Sequence, residues 1–278
     1  MPEGLSKTKR RINSVTNTKK ITKAMELIAS VKLKKFKNTM HSNCYYADNI
    51  DNVFAELFAY KKPTDEFEQK PLNKRKLYIV INSNLGLCSS YNNDVYKYVV
   101  NNLDNSNDIL AIGQKGSVHY SKLGYKVNND FVSITEKLEY EDVLKLSRFV
   151  IEKYNHNEYG EIHLIYTHYV NSITFTVLDK KILPVDVKKG EEEKLPPILE
   201  PDVDTLIEAL TPIYVSSTLY SKIIEAQVSE QASRRRAMES ANDNADELLD
   251  KLRIEYNKAR QSAITQEITE IISGSQDK

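Results

Sequence analysis

The 278-residue chain has no tryptophan, only two cysteines and eight glycines, and a formal net charge of zero. Cys44 and Cys88 are too few for a disulfide framework or a cysteine-built zinc site, and they fit a reducing compartment. A balanced charge favours neither nucleic acid nor an acidic substrate as partner of the whole molecule. No apolar run approaches the ~18 residues that mark a transmembrane helix. The N-terminus is basic but lacks the apolar stretch of a secretory signal. With Glu3 early and a helical pattern from Leu5, no cleavable transit segment is expected either. The most telling absence is local: neither glycine nor proline occurs between Ile213 and Ser273.

What fills that stretch is a helical pattern of about 60 residues, which as one helix spans roughly 90 Å, about three times the diameter of a small domain. Its apolar and small residues recur in threes and fours, through Leu219, Ile223, Ala226, Glu230, Ser233, Ala237, Ala241, Ala245, Leu248, Leu252, Tyr256, Ala259 and Ala263. Alanine on this seam lets another helix approach closely. Three consecutive fours from Ser233 to Ala245 form a stutter, where supercoiling relaxes. Thr211-Pro212 offers a cap and a proline at the first helical position, so the helix is expected to begin there and to run over 211–274. A second amphipathic helix is expected over 1–60, where Ile12, Val15, Ile21, Met25, Ile28, Phe36, Met40, Ile50, Phe54 and Leu57 keep helical spacing. Residues 1–40 carry 11 Lys/Arg against two acids.

Between the helices the texture changes. A proline-bracketed polar linker at 61–73 leads into strands at 77–81, 109–112, 162–166 and 173–178, with 181–187 continuing the sheet. Helices are expected at 91–103, 117–123 and 142–154. Strands alternating with helices imply parallel pairing and a Rossmann-like α/β domain over 75–190, its last two strands forming an antiparallel hairpin. A second linker follows, from Gly190 through Pro196-Pro197 to Pro201. The fold class is therefore α/β, with a small domain inserted between two long helices that pair as an antiparallel coiled coil. The second helix is the longer, so its tip, carrying Ile264, Ile268, Ile271 and Ile272, projects alone. Such a tip needs a hydrophobic sleeve.

The motifs that suggest chemistry have plainer readings. Asn82-Ser-Asn-Leu-Gly-Leu-Cys88 sits at a strand–turn–helix junction, as a nucleophile elbow does. Its second glycine is missing and no His/Asp pair accompanies it, so Cys88 reads as a buried structural cysteine. Gly113-Gln-Lys-Gly116 follows a strand and opens a helix, but neither phosphate-loop pattern is complete, and a tight turn accounts for it. His163 and His168, five apart on a strand, face opposite ways and make poor metal partners. Arg234-Arg-Arg236 reads as an outward face, either solvated or set against an acidic surface.

Three stretches carry a resemblance. They are Arg11 to Met25; the turns Asn82 to Asn92 and Gly113 to Gly116; and a C-terminal block from Ser229 to Ala232, Met238 to Asn244, and Tyr256 to Gly274. Together they are similar to the gamma subunits of F-type ATP synthases, the rotor shafts of F1 motors, over essentially the whole chain. Two departures stand out. Asn84-Leu-Gly-Leu-Cys-Ser-Ser90 replaces the family's usual Asp-Arg-Gly-Leu-Cys-Gly-Gly, and Gly274-Ser275 replaces Gly-Ala. The chloroplast insert with its regulatory cysteine pair is absent.

The resemblance implies a non-catalytic shaft for ATP synthesis coupled to hydrogen-ion transport, with no cofactor and no nucleic-acid partner. The shaft stands within three alpha and three beta subunits. Its foot domain rests on the membrane c-ring and holds the epsilon subunit, at the cytoplasmic face of a bacterial cell membrane. Met25, with Lys23 beside it, would face the beta-subunit levers. Arg234, Arg260, Gln261, Thr265 and Glu267 would lie at beta-subunit loops, and Glu200 near the membrane ring. An α/β enzyme with a coiled-coil arm is the alternative that a complete elbow or phosphate loop would favour. A nucleic-acid-binding coiled coil is the one that net basicity would favour.

Overall fold

The computed structural model of the protein describes residues 3–60, 73–185 and 199–276. Apart from Asn73 and residues 199–201, both expected linkers lie outside these residues, as does the end of the expected 181–187 strand. The chain forms two compact units, Val31–Ser233 and the paired segments Met1–Ser30 and Arg234–Lys278. Two helices have residues in both: α1 (Glu3–Tyr60) and α5 (Val203–Gln276). No helix among the described residues is long and apolar enough to cross a membrane.

In the Val31–Ser233 unit the remaining elements form a doubly wound sheet. The strands are β1 (Lys76–Ile81), β2 (Asp108–Ile112), β3 (Lys126–Asn128), β4 (Glu161–Tyr169) and β5 (Phe175–Leu183), with α2 (Tyr91–Asn102), α3 (Gln114–Lys122) and α4 (Tyr140–Asn155) between them. The order is β3-β2-β1-β4-β5, parallel except for the antiparallel β4–β5 pair. In place of separate strands at 173–178 and 181–187 there is one continuous strand, β5, which begins at Phe175 and ends at Leu183. Asn171 turns the hairpin: its side-chain oxygen accepts from the amides of Ile173 and Thr174, both at 2.8 Å. Strand β3 was not anticipated, because three residues are too few to show a period.

Alternation along the central strand sorts two cores. Leu77, Ile79 and Ile81 face α4, α5 and the end of α1, in a cluster with Leu146, Val150, Phe54 and Leu219. Tyr78 and Val80 face α2 and α3, with Val95, Val99 and Tyr120. Such fully buried aliphatic side chains each contribute about 1.5–3 kcal/mol of transfer free energy.

Helix α5 begins at Val203 rather than at 211. Asp202 is the true cap, its carboxylate accepting from the amide of Thr205 at 2.9 Å. Thr211 behaves as an interior residue, its hydroxyl donating to the Ile207 carbonyl at 2.6 Å. Pro212 lies inside the helix. From Tyr214 to Ser233 nearly every side chain of α5 is buried, whatever its face. A helix enclosed all round is ordinarily apolar. Here its polar residues are bonded locally or to the sheet: Gln227 and Gln231 donate to Glu230 at 3.2 and 3.3 Å.

Within this unit α1 and α5 run antiparallel. Leu33 packs with Val228 and Ala232, and 21 residues further along α1 the Phe54 ring lies 4.7 Å from Tyr214. In the other unit they are antiparallel again. Lys19 pairs with Asp246, Thr22 bonds Asn242, and Asn242 donates to Glu26 at 2.7 Å. The buried seam there is Met238, Asn242, Leu249, Leu252 and Ala263. The expected Ala237, Ala241 and Leu248 give way on it to Met238, Asn242 and Leu249, each one position further on, and Leu248 is 38% exposed.

Candidate functional site

The expected contact residues fall into separate zones. On the unit formed by 1–30 and 234–278, Lys23 and Met25 occupy one. Lys23 is exposed and its ammonium lies 2.9 Å from the Glu26 carboxylate; Met25 is half-buried. That Lys23 bond, opposed by some desolvation and helped by Asn242, holds the Glu26 carboxyl below its ordinary range. Lys23 is thus already paired within the chain, as is the nearby Lys19, which pairs with Asp246. Lys20 is exposed.

Arg234 corrects an expectation. The arginine run was read as an outward face, yet Arg234 is 6% exposed while Arg235 and Arg236 are solvent-facing.

The second zone is the end of α5. The Lys19–Asp246 and Glu26–Asn242 register carries forward to set Leu5 level with the region of Ala263, and both are buried. Beyond Ala263 every side chain to Ile272 is exposed, with Ile271 at 72%. Arg260, Gln261, Thr265 and Glu267 are exposed there, and the Thr265 hydroxyl donates to the Gln261 carbonyl at 3.0 Å. Glu200 belongs to the α/β unit, where it is exposed just before the Asp202 cap.

In a doubly wound sheet, ligands bind outside the carboxyl ends of the strands where the order reverses, here beyond β1 and β4. That crevice is filled by the chain itself. The Ser229 hydroxyl donates to the Thr167 carbonyl at 3.1 Å, and the Ser233 hydroxyl to the Cys88 carbonyl at 2.7 Å. Cys88 is buried, its sulfur taking an Asn92 amide proton at 3.2 Å.

The start of α3, where a phosphate would sit, is also occupied. The Gln114 amide donates to the Asn84 side chain at 2.9 Å and the Lys115 amide to the Ser83 carbonyl at 3.0 Å. The two glycines serve packing. A Cβ on Gly113 would lie 2.1 Å from the Asn82 carbonyl oxygen, and one on Gly116 would lie 2.3 Å from the Asn82 side-chain oxygen.

The histidines lie on opposite faces of β4. The His163 ring lies tilted 5.1 Å from that of Tyr78 and bonds Asp179 at 2.9 Å, whereas His168 bonds Glu225 of α5. Among the described residues no group of three His, Cys, Asp or Glu is placed to hold a metal.

Two features escaped sequence reasoning. Leu85 and Leu87, in the loop after β1, are 66% and 61% exposed. Ser89 there has φ 51, a left-handed conformation that glycine takes more easily, at a position where the resembled family carries glycine. The other is the row Glu225, Ser229 and Ser233, spaced by four, of which the expected seam includes only Ser233.

The profile described as ATP synthase matches residues 4–276. The chain is 36% identical to the ATP synthase gamma chain of Clostridium pasteurianum, with 99% of each chain covered. It is 38% identical to that of Mycoplasma mobile, with 98% of each covered. Among solved structures, the fold is similar to a chain of the Euglena gracilis mitochondrial ATP synthase rotor, with a TM-score of 0.67 at 16% identity, covering 94% of this chain and 98% of that one. A chain of the Tetrahymena thermophila central stalk and c-ring gives a TM-score of 0.58 at 24% identity, covering 80% of this chain and 99% of that one.

Proposed function

This chain belongs to the ATP synthase gamma-chain family, and from that premise we propose that it is the central rotor stalk of an F1Fo ATP synthase. It couples proton-driven rotation of a membrane c-ring to ATP synthesis and hydrolysis in a ring of three alpha and three beta subunits, with an epsilon subunit held at its foot. It is non-catalytic and peripheral, at the cytoplasmic face of a bacterial membrane. One observation carries the reading: a single helix, α5, is enclosed within the α/β unit over 214–233 and bare over 264–272. An enclosed helix is held by its domain, and a bare apolar end is suited to an apolar sleeve.

The filled crevice supports the absence of an active site in this subunit. The exposed Gln261, Thr265 and Glu267 suit passing hydrogen bonds to beta-subunit loops, and Met25 with Lys23 suits a lever contact that is made and broken in each step. Glu200 suits the membrane-facing side of the foot.

The test is replacement of this chain in its own complex. Purified complex should contain three alpha and three beta subunits per copy of this chain, and vesicles lacking it should lose ATP-driven proton pumping. Pumping that survives its removal refutes the reading.

A further inference from the structure

Glu225, Ser229 and Ser233 stand four residues apart, so they share one face of α5. Each reaches the carboxyl-terminal edge of the parallel sheet. Glu225 accepts from the Tyr169 amide at 3.2 Å and bonds the His168 ring, while Lys222 holds its second oxygen at 3.0 Å. Ser229 bonds the Thr167 carbonyl at the end of β4, and Ser233 the Cys88 carbonyl in the loop after β1. Ser229 is fully buried, and Glu225 and Ser233 nearly so.

Elsewhere α5 meets the sheet through the aliphatic Leu219, Ile223 and Ala226, through Val228 and Ala232 beside Tyr169 and Phe175, and through Lys222, whose ammonium lies 5.4 Å from the centre of the Tyr166 ring. Aliphatic contacts are non-directional. They keep the helix against the sheet but set its rotation about its own axis only loosely. Hydrogen bonds with fixed partners set that rotation.

We propose that Glu225, Ser229 and Ser233 form the joint that locks α5 rotationally to the α/β domain, so that torque passes between domain and helix without slip. This rests on the rotor reading above. The three are positioning residues: they touch no nucleotide and act through the helix they hold.

The experiment uses the assembled complex in membrane vesicles. Ser229→Ala and Ser233→Ala, singly and together, delete one oxygen each, and alanine is the better helix former, so the helix persists. ATP hydrolysis with the gradient collapsed by an uncoupler should match that of the unaltered complex. Protons pumped per ATP against an established gradient should fall, by about two-fold or more in the double variant, because each substitution removes a buried bond between helix and sheet edge and so favours the opened joint. Ser229→Thr and Ser233→Thr, which keep the hydroxyl, should restore the ratio. Glu225→Gln should speed exchange of the Tyr169 amide about ten-fold.

An unchanged pumping ratio in the double alanine variant overturns the proposal. So does a parallel fall in hydrolysis and pumping that follows the amount of complex assembled, since that is a stability effect alone. If the unaltered chain itself fails to restore coupling to complex lacking it, the rotor reading fails first and the joint falls with it.

Discussion

Replacing Gly113 with alanine would put a methyl carbon 2.1 Å from the carbonyl oxygen of Asn82 and 2.5 Å from its carbonyl carbon. Both atoms are backbone at the end of β1, held by the Asn82 amide bond to Ile112 at 2.7 Å, so neither can swing away. Gly113 also has φ 98, which an L side chain rarely adopts. Overpacking costs about 1–3 kcal/mol and a forced backbone conformation a further ~1–3 kcal/mol. Gly113→Ala should therefore remove about 2–6 kcal/mol from a domain whose entire stability is on the order of 5–15 kcal/mol.

Gly116→Ala meets only the Asn82 side chain, at 2.3 Å from its oxygen. That side chain can turn, at the expense of its bonds to Tyr120 and Asn92, for about 1–3 kcal/mol. Gly86→Ala finds only Lys115 Cε at 3.8 Å and should change stability by less than about 0.5 kcal/mol. Adding Asn82→Ala should recover part of the Gly116→Ala loss relative to Asn82→Ala alone, and none of the Gly113→Ala loss. The assay is denaturant-dependent proteolysis of the purified chain, scored by cleavage within the sheet, with ATP binding followed by calorimetry. A Gly113→Ala chain as stable as the original refutes the packing account. Micromolar ATP binding by the original chain, lost in that variant, would make the turn a phosphate cradle.

Burial pushes the His163 pKa down, but the Asp179 hydrogen bond and charge, with Glu161 behind them, outweigh it and raise the pKa above its ordinary value. A raised histidine pKa stabilises fully below the unfolded value of about 6.5, and the benefit is lost as pH climbs through the folded pKa. The thermal midpoint of the chain should therefore drop across that window, and His163→Gln should abolish the drop; an identical pH profile in the variant refutes it. Replacing Gln261 or Glu267 with leucine should lower the ATPase rate of the assembled complex more than it lowers assembly, and normal turnover would leave these positions merely solvated. Met25→Lys should leave assembly intact but reduce proton pumping relative to hydrolysis, with partial relief by salt, because exposed ion pairs are worth about 0–1 kcal/mol and are screened. A ratio that matches the unaltered complex at low and high salt removes Met25 from the lever contact.

The long helices were legible because their signal is a missing one. Without glycine or proline the backbone has no reason to stop, and spacing in threes and fours says which side is dry. Register was less legible. On α1 the expected Phe54 and Leu57 are buried, whereas Ile21 and Ile28, expected on the same face, are 62% and 57% exposed and the uncounted Leu33 is buried; α5 is enclosed over 214–233, and a helix buried all round has no single stripe to count from. Arg234, at the end of that enclosed stretch, is therefore buried although its run reads as an outward face. The start of α5 misled for a different reason. Thr211-Pro212 has the chemistry of a first turn, yet Asp202 offers a better cap eight residues before Leu210, and Pro212 is tolerated within the helix that results. The Asn82 interactions were out of reach, since nothing in Gly113-Gln-Lys-Gly116 says which distant side chain fills the space that a Cβ would take.

The sheet's topology belongs to a fold that hosts many unrelated chemistries, so topology alone argues for no activity. What decides the matter is the occupant of the switch point. Two carbonyls border it, that of Thr167 near the end of β4 and that of Cys88 in the loop after β1, and serines of α5 already bond both. The Cys88 thiol faces Asn92 and the Ser83 hydroxyl, neither of which is a base that could activate it. Opening the crevice by mutation would therefore expose polar groups without assembling a nucleophile. The two hydroxyls that occupy this edge of the sheet are also the ones that bond it to α5. Ser229→Ala with Ser233→Ala should accordingly weaken coupling and create no nucleotide binding, and the appearance of binding in that variant would show that the crevice is a masked site instead of a joint.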